Sequence, residues 1–331
     1  MKSIIASMLI LSAWVASPTP SSAQNQDKTS PAVAVTGDSL RDTLSLRPPA
    51  ITPVSPAISP ISAHVIASSV YDSNIERDPR PLNSYGFITG IGARYQDREI
   101  RPSVQLSYEI ARHAYTHGDE WDRVSQNMNV VLARRLSRSF FLETIGEIAL
   151  KGSSEDRDIG NQYIFLPRLN YRINSSHRLR VYGAYRIRRY DVDTDRDAAN
   201  RYAGAEFRKA FSPRSLWESG FRYETNSAKG ERRSYTRRTY FSAWTATVSR
   251  RDQLVTELEY RRQHYDKRPV KVGGIQTPRL DHRFQPSIEW VHAMGRNVGL
   301  VLDYEFEYRS SNDPSKGYRD HLLTLTTRYQ F

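Results

Sequence analysis

From residue 64 onward the apolar side chains recur at every second position, a period that dictates strands and not helices. Between Asn297 and Arg309, Val298, Leu300, Leu302, Tyr304, Phe306 and Tyr308 share one face, opposite Gly299, Val301, Asp303, Glu305, Glu307 and Arg309. Between Arg178 and Arg188, Leu179, Val181, Gly183, Tyr185 and Ile187 oppose Arg178, Arg180, Tyr182, Ala184, Arg186 and Arg188. A water-facing sheet does not need so continuous an apolar face.

Connection lengths separate a soluble sandwich from a membrane barrel. Tight links at Gln96–Glu99, Leu136–Arg138, Asn174–Ser176, Ser212–Arg214, Arg250–Asp252 and Met294–Arg296 alternate with longer polar ones. The longer ones are Ile75–Asn83, Thr116–Glu120, Gly152–Gly160, Asp191–Asn200, Asn226–Arg232, Asp266–Asp281 and Ser310–Arg319. Short turns on one side and long loops on the other are the habit of bacterial outer-membrane barrels. Fourteen strands are predicted, near 64–74, 84–95, 100–115, 121–135, 139–151, 161–173, 177–190, 201–211, 215–225, 233–249, 253–265, 282–293, 297–309 and 320–331, with twelve as the alternative count. A tilted strand of about 9 to 11 residues crosses a bilayer. An open edge in hydrocarbon would leave backbone groups unpaired at several kcal/mol each, so the sheet must close. The predicted class is all-β, a closed antiparallel transmembrane β-barrel over residues 64–331.

Two other classes drop out. The chain has no cysteine, which removes disulfide scaffolds and cysteine-ligated zinc or iron–sulfur centres. Its mean hydropathy is −0.63 and no long apolar run follows the extreme N-terminus, so helical membrane spans are not expected.

Residues 1–23 read as an export signal: Lys2, an apolar stretch from Ile4 to Ala16, then Ser21, Ser22 and Ala23 as small residues for a signal peptidase. Residues 24–63 are poor in aromatics and contain Pro31, Pro48, Pro49, Pro53, Pro56 and Pro60, which favour solvated, disordered chain. They read as a periplasmic tether; whether it plugs the barrel is left open.

The chain ends Leu323-Thr324-Leu325-Thr326-Thr327-Arg328-Tyr329-Gln330-Phe331, with Leu323, Leu325, Thr327, Tyr329 and Phe331 on one face. This resembles the C-terminal signal by which the barrel-assembly machinery recognises Gram-negative outer-membrane proteins, Tyr329 and Phe331 being its most specific part. The resemblance implies an outer-membrane location, porin or channel type, with that machinery, membrane lipid and lipopolysaccharide as partners. Tyr71-Asp72-Ser73-Asn74 is also similar to the opening of several porin-type barrel families, although a polar strand end entering a loop explains it as well.

Aromatics should form girdles at the two interfaces: Tyr95, Phe140, Tyr171, Phe211, Trp217, Tyr329 and Phe331 at one, Tyr85, Tyr163, Tyr223, Phe284 and Tyr308 at the other. The inward face carries the functional information, because enclosed charge needs water or partners. Strands six to eight point Arg168, Arg172, Arg178, Arg180, Arg186, Arg188 and Arg208 inward. Strands eleven to thirteen do so with Glu257, Glu259, Glu289, Asp303, Glu305 and Glu307. The two clusters should face each other across a wet lumen and set up a transverse field. The expectation is a diffusion channel for small hydrophilic solutes. Residues 64–331 hold 44 basic and 33 acidic residues, which favours anions. Three rivals stay open: an export or assembly pore, a structural or adhesive barrel with a plugged interior, and a membrane-embedded hydrolase.

Other chemistry is weakly signalled. Asp191, Asp193 and Asp195 resemble the first half of a calcium loop, but Arg196 and Tyr202 stand where glycine and glutamate belong, so a solvated acidic loop competes with it. There is no G-x-S-x-G, and His264, His282, His292 and His321 fall on the outward register. No catalytic residue and no cofactor is assigned. The arginines follow strand parity, a pattern that does not point to nucleic acid.

Overall fold

The computed structural model describes residues 60–97, 103–117, 121–153, 159–191 and 193–331. The expected signal peptide and nearly all of the expected tether lie outside the described residues. Fourteen strands follow in order: β1 Ile61–Asp72, β2 Ser84–Asp97, β3 Ser103–Tyr115, β4 Arg123–Arg135, β5 Phe140–Ser153, β6 Ile159–Arg172 and β7 His177–Arg189. The remainder are β8 Ala198–Ser212, β9 Ser215–Ala228, β10 Tyr235–Thr247, β11 Asp252–Val272, β12 Ile275–Ala293, β13 Val298–Ser311 and β14 Tyr318–Gln330. Every strand is antiparallel to its neighbours, and β1 pairs with β14, so the sheet is a closed barrel with no edge. This is the predicted architecture, with the higher of the two strand counts.

The start of β1 and the connections at one end bring the differences. Ala63 and Phe331 exchange backbone hydrogen bonds of 3.1 and 3.0 Å, so residues 61–63, read as tether, belong to the barrel. Ile61-Ser62-Ala63 carries little alternation by itself; the partner strand supplies the reason to extend. The second difference is the expected loop Asp266–Asp281. There β11 and β12 continue as a two-stranded ribbon, with Val272 paired to Ile275 around Gly273 and Gly274. These glycines have φ of +56° and +87°, the left-handed geometry of a two-residue hairpin turn. The register shifts between Tyr265 and Pro269, and Pro269 lies opposite Pro278, where neither residue has a donor to lose. Three other connections at this "loop end" hold 3-10 turns, at Thr194–Arg196, Glu231–Arg233 and Pro314–Lys316. The opposite "turn end" gathers the short links and the β1 start.

The two faces sort as the period of two requires. Tyr85, Phe87, Ile91, Phe165, Tyr240 and Leu258 are exposed on the outside, while alternate positions are buried on the inside. An apolar exterior this continuous fits lipid, not water. At the turn end three tryptophans anchor the wall: Trp217 Nε1 donates to Ser242 Oγ at 2.9 Å, Trp244 to Ser215 at 2.9 Å and Trp290 to Asp252 at 3.1 Å. Each presents its ring on the exterior and satisfies its one polar atom, as a headgroup-level residue must.

The interior is not uniformly polar. Val131, Ile145, Ile164, Leu166, Tyr182, Tyr202 and Phe241 form one inward apolar cluster, and Val70, Ile88, Ala111 and Leu322 another. The rings lie sideways over neighbouring strands: a Cβ on Gly204 would collide with Tyr182, and one on Gly220 with Phe241. Glycine is required at those two positions by the close approach of an aromatic ring.

Candidate functional site

The inner wall is the site to assess, and its parity places both predicted clusters on it. What the sequence did not show is how their charges are partnered. In the basic sector Arg180 donates to Glu206 at 2.6 Å and lies 3.8 Å from Glu218, which Arg208 holds at 2.5 Å. Arg186 reaches across β8 to Glu224 at 2.7 Å, and Asn200 donates to the same carboxylate at 2.6 Å. Arg188 donates to Asn226 at 2.9 Å and to Tyr235 Oη at 3.1 Å. Arg168 is the register partner of Glu143. Sequence reasoning missed Glu143, Glu206, Glu218 and Glu224 because they occur one or two per strand. Their inward parity was the signal available.

The acidic sector is partnered in the same way. Glu307 is held by Arg77 from the β1–β2 loop, by Tyr318, and by Arg283 at 3.0 Å. Asp281 receives Arg279 at 2.7 Å and Arg309 at 2.5 Å, and Glu259 pairs with Arg261. Glu257, Glu289, Asp303 and Glu305 occupy the inner face of β11, β12 and β13, and Glu289 and Asp303 are register partners. The ion pairs among these join strands at most two apart in the ring, or a loop to the wall, and the Arg188–Tyr235 hydrogen bond spans three. They run round the wall, and none of them bridges the two clusters.

A row of three arginines is the exception. Arg172 is the register partner of Arg178, and Arg178 of Arg208, on the inner face of β6, β7 and β8 at the turn end. Arg208 has its carboxylate, whereas Arg172 and Arg178 are exposed and make no ion pair among the described residues. Like charges directly opposite each other are unfavourable, and an open mouth lined this way attracts anions.

Burial differs along the axis. In the loop-end half, inward side chains are shielded all round the ring: Arg186, Arg222, Arg237, Glu224 and Glu307 are each at most 1% exposed. Toward the turn end, on β3 to β9, inner positions such as Gln105, Ala133, Asn170 and Arg178 are partly or fully accessible. The wall itself is wide, since fourteen tilted strands give a backbone cylinder roughly 27 Å across.

The remaining candidates separate cleanly. Asp193 is paired with Arg233 at 2.8 Å, and among the described residues no group of three or more His, Cys, Asp or Glu side chains gathers to hold a metal. Asp191, Asp193 and Asp195 are therefore not brought together as a calcium site. On the outer face His282 and His321 hydrogen-bond Tyr260 and Tyr304 at 2.7 and 2.9 Å, while His264 and His292 pair with Asp266 and Asp252 at 2.9 and 2.8 Å. Among the described residues a serine hydroxyl meets a histidine ring at Ser125 Oγ and His113 Nε2, 2.9 Å apart. His113 is buried and its Nδ1 has no partner, so the third group that orients a catalytic base is missing.

No protein-family model and no curated relative matches the chain. Among solved structures it resembles the outer-membrane-expressed OmpT of Vibrio cholerae, at 9% identity and a TM-score of 0.48 over 82% of this chain and 97% of that one. It also resembles the outer-membrane channel DcaP of Acinetobacter baumannii, at 11% identity and a TM-score of 0.48 over 82% and 96%. A third likeness is to the anion-selective porin from Comamonas acidovorans, at 10% identity and a TM-score of 0.44 over 82% and 98%. At such identities the likeness is one of fold, shared with outer-membrane barrels that include porins and channels.

Proposed function

We propose that the chain is an outer-membrane channel through which small hydrophilic solutes diffuse, with its turn end toward the periplasm. The observation that carries this reading is the direction of the inner ion pairs. A salt-bridge plug would require the basic sector of β6–β8 to meet the acidic sector of β11–β13 across the lumen. Instead Arg180, Arg186 and Arg208 are neutralised by Glu206, Glu224 and Glu218, and Glu307 and Asp281 by arginines of their own sector. Charges paired along a wall need no partner across the lumen, so no strut between the two sectors is required to neutralise them. The exposed Arg172 and Arg178 at the turn-end mouth favour anions among the solutes.

Planar-bilayer recording tests this. The expected result is discrete, small conductance steps with anion preference; a barrel that inserts and never conducts would sink the reading. The shielding of inward side chains round the loop-end half favours a second reading, a structural barrel with a filled interior. The same recording separates the two. The exterior Tyr329 and Phe331, whose ring centroids are 5.6 Å apart, are proposed as the handle for the assembly machinery. Phe331→Ala should slow insertion in an assembly assay while leaving spontaneous folding in detergent unchanged.

A further inference from the structure

The turn-end mouth carries one side chain that a passage for hydrophilic solutes does not call for. Phe141 sits on the inner face of β5, between its register partners Arg135 on β4 and Asn170 on β6. It is 37% exposed and belongs to neither apolar cluster of the interior. Its neighbour Phe140 points the other way and stacks on Tyr171 with ring centroids 4.8 Å apart, which sets this level at the turn-end aromatic girdle. The inner positions nearest Phe141 are polar: Arg135, Asn170, Arg172 and, next along β5, Glu143.

An apolar ring left open in a charged mouth breaks the inner-face pattern, and such breaks are expected at functional positions. Its surroundings supply the second half of a site. The Arg172 amide donates to the Ser139 carbonyl at 2.8 Å, so Arg172 stands one inner position beyond Asn170 and diagonal to Phe141, where long side chains still meet. Arg178 is the register partner of Arg172 and completes a row of Phe141, Arg172 and Arg178 across β5, β6 and β7. The carboxylates nearby are already engaged. Glu143 accepts from Asn170 at 3.1 Å, Glu206 from Arg180 at 2.6 Å and Glu218 from Arg208 at 2.5 Å. Arg135 is folded back onto its own turn, its Nε donating to the Ser137 carbonyl at 3.0 Å.

We infer that Phe141, Arg172 and Arg178 form a solute site at the turn-end mouth, and that its ligand class is the aryl carboxylate, a flat apolar ring carrying one carboxylate. The ring of the solute lies against Phe141 in offset or edge-on contact. Its carboxylate lies between two guanidiniums that repel each other until an anion separates them, and each presents a fork to such a group. A short carboxylate without a ring engages only the arginines, and a neutral ring engages only Phe141. The site belongs to the wet passage proposed above and rests on its water-filled mouth; what it adds is the class of solute that the mouth concentrates.

The experiment is a ligand-observed NMR titration of the folded full-length barrel in detergent micelles, with phenylacetate, acetate and phenylacetamide as probes and protein-free micelles as the blank. Phenylacetate should bind about tenfold or more tighter than either comparison compound. Phe141→Ala should bring phenylacetate down to the affinity of acetate and leave acetate itself unchanged. Arg172→Gln/Arg178→Gln should cost about tenfold for both carboxylates and leave phenylacetamide unchanged. Equal binding of acetate, equal binding of phenylacetamide, or a folded Phe141→Ala barrel that keeps the wild-type affinity for phenylacetate would each overturn the inference. The first two comparisons need no variant. Planar-bilayer recording on the same preparation separates the site from the channel. A barrel that conducts chloride and binds no phenylacetate sinks the site alone, and one that binds phenylacetate and never conducts sinks the channel alone.

Discussion

Arg180 and Glu206 are register partners across the β7–β8 ladder, and their guanidinium and carboxylate meet at 2.6 Å. Strand pairing, not side-chain reach, brings these charges together, and the same holds for Arg208 and Glu218 across β8–β9. The basic sector therefore cancels much of its own charge locally.

Glu206→Gln should destabilise the barrel by about 2–4 kcal/mol, because it leaves a mostly buried guanidinium with a neutral amide, Asn170 at 2.9 Å, and only the longer contact to a carboxylate, Glu218 at 3.8 Å. Replacing both partners, Arg180→Met with Glu206→Leu, should cost less than the single change. Urea titration followed by the heat-dependent gel shift of folded barrels reads both. A double variant weaker than the single one would mean that the pair is not a unit.

Gly204→Ala and Gly220→Ala should each cost about 1–3 kcal/mol, since the new methyl would displace the Tyr182 or Phe241 ring from a packed interior. Gly146, where a Cβ meets nothing within 4 Å, is the control and should tolerate alanine within about 0.5 kcal/mol. Thermal unfolding of the three variants side by side measures the contrast.

Ion preference should respond most to the unneutralised row. Arg172→Glu/Arg178→Glu should move the reversal potential in a salt gradient toward cations, whereas Arg180→Glu and Arg186→Glu, which would repel the carboxylates those arginines now hold, should mainly impair folding. An unchanged reversal potential in a folded, conducting Arg172→Glu/Arg178→Glu barrel would remove that mouth from the permeation path.

Gly273→Ala/Gly274→Ala should strain the hairpin tip by about 1–2 kcal/mol per residue, because both positions have φ above zero. The ribbon lies beyond the barrel pairing, so trypsin should cut faster at Lys271 while the melting of the barrel stays the same. A lowered melting temperature would show that the ribbon packs on the wall.

Much of the fold was legible, for a physical reason. Each strand faces lipid on one side, so the period of two is enforced along the whole barrel, and thirteen residues from β13 or eleven from β7 suffice to assign faces. The Gly273–Gly274 turn was legible in principle as a two-glycine hairpin signal between valine and isoleucine. It was overridden by the polar run Asp266-Lys267-Arg268-Pro269, which reads as loop and is in fact a bulged ribbon. At the site, parity alone assigns Arg180 and Glu305 to the inner face. Which arginine meets which carboxylate depends on register, and one strand's sequence does not contain its neighbour's offset. The pairing of Glu206 and Glu224, themselves overlooked as single inward acids on their strands, and the unshared row of Arg172 and Arg178 both depend on that offset.

The tangential pairs have a geometric consequence for the girth of the barrel. In a closed sheet, strand number and cumulative stagger together fix the circumference. A slip of two residues at β7–β8 that brings Tyr182 opposite Glu206 keeps every side chain on its own face yet sets Arg180 against Arg208. The Glu206 carboxylate thus acts as a rivet against that offset. The girth of the barrel is biased, strand pair by strand pair, by the order in which charges are threaded along adjacent segments.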